Sequence, residues 1–399
     1  MNGRKAYVAL GMATLAFTVS FLAWSLLAPL APQWQHTYHI SDIGISVLIA
    51  IPVVLGSIAR LPMGVLTDRF GGRRVMTALL LFTVLPCLGM VTARSLTGFL
   101  IWGFFLGVVG SSFAVGVPYV SRWFTPEKQG LVVGVFGIGN IGTAISARVV
   151  PQLAKGSGGW QSAFLLSAGL LLVTALAFYL LAGDEARPTG PTQTLGQRVA
   201  VLKRERLAWL FSLFYFVTFG GFVAFSLYLP KLLVDSFGLD KVDAGNRAAG
   251  FVVLATLARP VGGWVADKVG ATRILTLVFA GIPVCALVLA FGPGMALLTA
   301  CFLLLAALLG LGNGAVFKLV PQYYAAEAGI VTGLVGAAGG LGGFFPPIVM
   351  GFFKTALGSY TLGYVLLAAV AASCLALNLA VLAGGRAHRA APRCGATAR

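Results

Sequence analysis

Twelve long apolar runs limit what this chain can fold into more than any other feature of its sequence. They fall near residues 6–31, 43–67, 73–93, 97–121, 130–152, 160–182, 208–230, 247–266, 272–291, 296–320, 328–353 and 359–383. An apolar helix of ~20 residues is long enough to cross a hydrocarbon core of about 30 Å, where backbone polar groups must be bonded within their own segment. The expected fold is an all-α membrane protein with twelve transmembrane helices. Composition agrees, since 58% of the 399 residues are hydrophobic and only 10% are charged, far from soluble averages. The first run follows Arg4 and Lys5 as a signal peptide would. It is too long for a signal core and lacks a convincing small-residue cleavage site, so it is expected to be retained as a helix.

Within the second run the chain reads SIARLPMGVLTDRFGGRR from Ser57 to Arg74, and 199 residues later it reads TLARPVGGWVADKVGATR. Arg60 matches Arg259, Gly64 matches Gly263, Asp68 matches Asp267, Gly71 matches Gly270, and Arg74 matches Arg273. A shared register of this kind indicates duplication, and the expected architecture is two pseudo-symmetric six-helix bundles. The N-terminal bundle is assigned to 1–183, a polar linker to 184–207, the C-terminal bundle to 208–385 and a basic tail to 386–399. In each copy the arginine precedes the aspartate by eight residues, roughly 12 Å along a helix. That depth keeps it from water, and an ionised side chain there costs several kcal/mol unless it faces a polar cavity or a partner. One such arginine can be structural, bonded to helix carbonyls; two at equivalent repeat positions mark a candidate site.

The net charge of +17 invites a nucleic-acid reading, but the cations are spread over short interhelical loops rather than gathered in one basic module. With both termini inside, eighteen of the 28 Lys and Arg fall on the inner side and six on the outer side. Arg60, Arg148, Arg259 and Lys318 lie within helices. The positive-inside rule then predicts cytoplasmic termini in a multi-pass protein of the inner (cytoplasmic) membrane. Cys87, Cys285, Cys301 and Cys374 lie in spanning runs and Cys394 in the tail, without metal-ligand spacing, so neither a metal site nor a disulfide is expected. The three histidines and eleven carboxylates lie in loops, in the tail or at helix ends. With no intramembrane His, Asp, Glu or Cys cluster, an enzyme is not expected and no cofactor is implied.

Glycines punctuate the fifth run at 130, 134, 137, 139 and 142 and recur in the eleventh at 329, 333 and 336. Spacings of three and four give a smooth face on which another helix can approach or slide. Asn140 adds an amide in the middle of the fifth run. It can donate to an anion through its NH2 or serve as packing glue.

The loop GVLTDRFGGRR from Gly64 to Arg74 resembles the loop 2–3 signature of the major facilitator superfamily, and GWVADKVGATR resembles its weaker partner. The resemblance implies that Asp68, Arg69, Arg73 and Arg74, with Asp267 and Arg273 in the second copy, act as a cytoplasmic gate. Within that superfamily, GVFGIGNIG from Gly134 to Gly142 and AGIVTGLVGAAGGLGG from Ala328 to Gly343 resemble the signatures of the nitrate/nitrite porter family. This resemblance covers essentially all twelve helices. It implies an anion site built from Arg60, Arg259, Asn140, Phe113, Tyr215 and Phe219 with the signature glycines Gly137, Gly139, Gly336 and Gly339. Tyr215 and Phe219, four apart on one helix face, and the Phe21 and Trp24 pair of the first run otherwise read as packing residues.

Two cations at one depth without an acidic residue would select an anion and repel a cation. Planar guanidinium groups offer parallel N–H donors that suit a small planar oxyanion better than lysine would. Nitrate and nitrite are the expected partners, besides membrane lipid, and a monomer is expected to suffice for transport. Arginine does not release a proton at working pH, so proton symport would fall to Lys318, in FKLVP, or to Tyr215. Lys318 otherwise reads as snorkelling to the inner interface. The leading expectation is nitrate uptake, with protons as coupling ion. Nitrate/nitrite antiport is the alternative, and a porter of oxalate-like organic anions a further one.

Overall fold

The computed structural model describes residues 3–184, 205–324 and 328–383. Most of the expected linker and the whole of the expected tail lie outside them. Among the described residues twelve helices are long and apolar enough to cross a membrane: α1 Arg4–Thr37, α2 Asp42–Phe70, α3 Gly72–Thr92, α4 Leu96–Ser121, α5 Val132–Lys155, α6 Gln161–Leu181, α7 Arg206–Phe237, α8 Lys241–Val269, α9 Ala271–Ala290, α10 Met295–Val320, α11 Val331–Leu357 and α12 Thr361–Val381.

Local chemistry sets the helix ends. The Ser41 and Ser95 side chains accept the N–H groups of Gly44 and Gly98, capping α2 and α4. Gly71 and Gly270 have φ of 87° and 90°, so the chain reverses between α2 and α3, and between α8 and α9, through one residue that tolerates positive φ. The two glycines are repeat equivalents, and the two bundles therefore turn alike. Both described chain ends lie with these turns at one end of the molecule, termed the basic end for Arg69, Arg73, Arg74, Lys268 and Arg273; the opposite end is the far end.

Burial sorts the helices. Leu85 on α3, Val173 and Leu176 on α6, Val284 on α9 and Leu366 on α12 are exposed, which puts these helices against lipid. α1 and α7, the opening helices of the two halves, are buried along most of their length. α7 also runs past its apolar stretch to Phe237. This corrects the sequence expectation for Lys231, counted among the outer-loop cations; it lies inside the helix and is wholly buried, because polar partners surround it.

Within each half, small residues let backbones touch. A Cβ at Gly142 on α5 would overlap the Thr18 carbonyl oxygen of α1, and one at Gly342 on α11 would overlap the Phe216 carbonyl oxygen of α7. The two halves meet along α5 against α8 and α2 against α11. At both crossings the close approaches lie toward the far end, with Gly245 against the Ala147 carbonyl and Gly351 against Ser46. Toward the basic end the same helices leave open space at their glycines: a Cβ at Gly64, Gly134, Gly137 or Gly333 would meet nothing within 4 Å.

Gly142→Val is expected to disrupt the α1–α5 crossing at an overpacking cost of about 1–3 kcal/mol or more, whereas Gly134→Ala should leave folding unchanged. Thermal melting of the two detergent-solubilised variants checks this; equal losses would contradict the packing described.

Candidate functional site

The duplicated arginines come together at the boundary between the bundles. Arg60 on α2 is buried, with 7% exposure. Its Nη1 donates across the boundary to the Gly336 carbonyl oxygen of α11. Arg259 on α8 donates from Nη2 to the Tyr215 hydroxyl of α7 at 3.1 Å. Each guanidinium carbon lies 5.5 Å from the centroid of the Phe219 ring. Two cations from opposite bundles thus share one aromatic ring, each gaining about 0.5–2 kcal/mol from its π face.

Neither arginine is paired with a carboxylate among the described residues. Arg60 Nε and Arg259 Nη1 are buried without a protein hydrogen-bond partner. Buried donors of this kind normally find one. The site therefore offers N–H groups and positive charge, and it holds no acid to neutralise them.

An aromatic cage encloses the arginines. Tyr215 and Phe219 stack with centroids 4.9 Å apart and an interplanar angle of 3°, as their four-residue spacing on α7 requires. Phe317 on α10 meets Tyr215 edge-on at 4.7 Å and lies 6.3 Å from Phe113 on α4. The last contact crosses between bundles. Phe317 follows Gly314, which packs against the Arg259 carbonyl, by one helical turn, and so closes the site on its basic-end side. Toward the far end, Arg60 borders a small cavity that Trp24, Ser57, Val223 and Gly340 also line. Trp24 is held there by its indole N–H, which donates to the Pro52 carbonyl at 3.3 Å.

Not every sequence-predicted residue reaches this centre. Arg60, Arg259, Tyr215 and Phe219 do, and Phe113 joins through Phe317. Gly336 supplies the carbonyl that Arg60 uses, and Gly339 is small enough for the Tyr215 ring to lie against α11. Gly139 instead packs on Phe17, and Gly137 has no close neighbour. Asn140 is wholly buried where α5 tightens to 3-10 geometry over Ile138–Asn140, yet neither amide atom is hydrogen-bonded. Lys318 pairs with Asp267 near the basic end, and its side chain is 45% exposed.

Several of the expected gate residues have partners within their own bundles. Asp68 accepts from Arg122, the residue just past α4, at 2.5 Å. Arg73 donates from Nε to the Tyr179 carbonyl at 2.9 Å and pairs with Asp184 at 3.2 Å. Arg69 stacks on Phe70, while Arg74 and Arg273 lie in the first turns of α3 and α9. Sequence reading missed Phe317 and Ser57, and it took Trp24 for plain packing. The first two carry no signal in isolation, since a phenylalanine or serine in an apolar helix is unremarked until its neighbours are known.

The sequence profile described as the Major Facilitator Superfamily matches residues 13–347 and 212–395. The chain is 42% identical over 367 residues to the nitrite extrusion protein of Bacillus subtilis (strain 168), covering 92% of each. To the "Probable nitrate transporter NarT" of Staphylococcus epidermidis it is 41% identical over 368 residues, covering 92% of this chain and 94% of that protein. Among solved structures, a bacterial homolog of the human lysosomal transporter Spinster, in an inward-facing and unoccupied conformation, superposes with a TM-score of 0.73 over 98% of both chains. At 14% identity that likeness concerns the fold alone.

Arginines without acidic partners burden the folded state. Arg60→Met and Arg259→Met are therefore expected to melt at or above the wild-type temperature, as residues kept for function at a cost in stability do. A drop of several degrees in either variant would mean that the arginine is a structural tie.

Proposed function

The chain belongs to the nitrate/nitrite porters of the major facilitator superfamily, and we propose that it carries nitrate, and nitrite with it, across the cytoplasmic membrane by alternating access, taking nitrate up together with protons. The observation that carries this reading is the convergence of Arg60 and Arg259, one from each bundle, on the Phe219 ring without a carboxylate between them. A planar oxyanion lying against that ring would accept in-plane N–H donors from both guanidinium groups at once. Phe113, Tyr215 and Phe317 would shield it from water, strengthening each bond. Sulfate and phosphate are tetrahedral and costlier to dehydrate, and a slot built from flat groups disfavours them.

Transport follows from the same charges. Without an anion the two arginines repel, which opposes closure of the bundles around the site. With an anion bound between them the repulsion is offset and closure is favoured, the differential interaction that a conformational switch needs. Residues 1–183 and 208–385 then rock as units about the site. The excess of Lys and Arg at the basic end supports placing that end, with both termini, in the cytoplasm. Asp68, Arg69, Arg73, Arg74, Asp267 and Arg273 would close it there, with a monomer as the transporting unit.

Exchange of nitrate for nitrite is the second reading, and the position of Lys318 favours it. That lysine pairs with Asp267 near the basic end rather than lining the arginine site. Among the described residues this leaves Tyr215 as the titratable side chain bonded to a site arginine.

Uptake of nitrate into proteoliposomes separates the two readings. Symport predicts that an inward proton gradient drives uptake into empty vesicles and that Lys318→Gln or Tyr215→Phe weakens the response. Exchange predicts uptake only into nitrite-loaded vesicles, whatever the gradient. In either case Arg60→Lys and Arg259→Lys should each weaken nitrate binding roughly tenfold or more, since a charge-assisted hydrogen bond contributes about 1.5–3 kcal/mol. Unchanged affinity in both would exclude the site, and preferential competition by oxalate would point to an organic-anion porter.

A further inference from the structure

The far end holds a second charged cluster, which the anion site does not use. Lys231 on α7 has no exposed surface. Its ammonium donates to Gln35 Oε1 of α1 at 2.7 Å, to Asp42 Oδ1 of α2 at 3.0 Å and to Asp235 Oδ2 of its own helix at 2.5 Å. Gln35 Nε2 donates to Asp42 Oδ1 at 2.8 Å, and the Tyr360 hydroxyl, just before α12, donates to Asp235 Oδ2 at 2.9 Å. One turn deeper, Ser46 of α2 and Tyr228 of α7 lie 3.3 Å apart, oxygen to oxygen.

These bonds divide along the bundle boundary. Gln35, Asp42 and Ser46 belong to the N-terminal half, while Lys231, Asp235, Tyr228 and Tyr360 belong to the C-terminal half. If the halves part, Lys231 loses Gln35 and Asp42 but keeps Asp235, one turn along its own helix. Asp42 keeps the Gln35 amide and gains water. Neither half is left with a buried, unpaired charge, the outcome that makes an ordinary buried ion pair costly to break. The cluster can therefore open and re-form.

Its surroundings favour a moving part over a static tie. Apart from the Arg60 bond to Gly336 at the arginine site, the other polar contacts between the halves among the described residues lie at the same end: Arg148 of α5 donates to Asn246 of α8 at 2.8 Å, and Lys155 pairs with Asp240 at 2.8 Å. Both pairs are exposed, and such pairs contribute little on their own. Among the ion pairs between the halves in the described residues, the one made by Lys231 is buried on the lysine side. Toward the basic end the glycines of α5 and α11 have open space beside them, so the tight backbone approaches between the halves lie at the far end.

We propose that Lys231 is a reversible latch for the far end: its bonds to Asp42 and Gln35 hold that end shut in the conformation described, and their release is the step that lets the far end open. Asp235 acts as a holding residue that keeps the lysine paired when the latch is undone. This assignment is independent of which anion is carried and of whether protons are coupled to it.

Thiol accessibility in detergent tests the latch without reference to substrate or orientation. Ser46→Cys places a reporter beneath the cluster; the cysteines at 87, 285, 301 and 374 are buried, and Cys394→Ser removes the tail thiol. In that background a polar maleimide should label Cys slowly. Adding Lys231→Met should raise the labelling rate at least tenfold, and Asp42→Asn several-fold. Asp235→Asn should not raise it, because the bond it removes lies within one half. If Lys231→Met fails to yield folded protein, Asp42→Asn and Gln35→Leu carry the same expectation. Unchanged labelling in the Lys231 and Asp42 variants would overturn the proposal. So would an equal rise with Asp235→Asn, which would show general loosening of the cluster rather than release of a latch.

Discussion

Two positive charges facing each other in a low-dielectric interior, with no acid to separate them, form the constraint on which the rest of this structure depends. Burial makes each guanidinium costly and proximity makes the pair costlier. The surroundings reduce that cost without removing it. The Phe219 ring presents a π face to both, the Gly336 carbonyl accepts from Arg60, and the Tyr215 hydroxyl accepts from Arg259. None of these partners carries a charge. A full counter-charge has to arrive from outside the protein, and that need ties the chemistry of the site to the movement proposed for the bundles.

The backbone serves the same end. Glycine at 339 brings the Tyr215 ring against α11, and glycine at 336 leaves its carbonyl within reach of Arg60. The α11 signature is thus a surface shaped around an arginine and a tyrosine from two other helices. Its counterpart on α5 is used differently. There Gly139 and Gly142 pack tightly on α1 while Gly134 and Gly137 stand free. Between the halves, the close approaches of Gly245 to α5 and Gly351 to α2 lie toward the far end while the free glycines lie toward the basic end, an asymmetry that fits a molecule held closed at the far end.

Much of this was legible in the sequence. Apolar runs of spanning length gave the twelve helices, and the offset of 199 residues gave the duplication and both arginines, because helix length and repeat register are properties of the chain alone. The four-residue spacing of Tyr215 and Phe219 likewise required their stacking. Residues defined by a neighbour across the bundle boundary were not legible. Phe317 matters because Tyr215 and Phe113 lie beside it, and Trp24 because it lines the cavity next to Arg60. Lys231 was misread for a related reason. At the end of an apolar run a lysine looks like an interfacial charge, and only the approach of α1 and α2 shows that it is enclosed. Asn140 is wholly buried in α5 with neither amide atom bonded, so its proposed part in the site rests on the sequence resemblance rather than on a contact.

In the proposed cycle an anion bridging Arg60 and Arg259 allows the two bundles to close over the site. Phe70 and Val269 occupy equivalent repeat positions at the basic end, one in each half, and both are exposed. Spin labels at these positions, in protein whose affinity for nitrate is known, report the distance between the halves directly. Saturating nitrate is expected to shift the distance distribution toward shorter values, and Arg60→Lys to abolish the shift at the same concentration. A distribution that does not change while nitrate is demonstrably bound would contradict the proposed cycle.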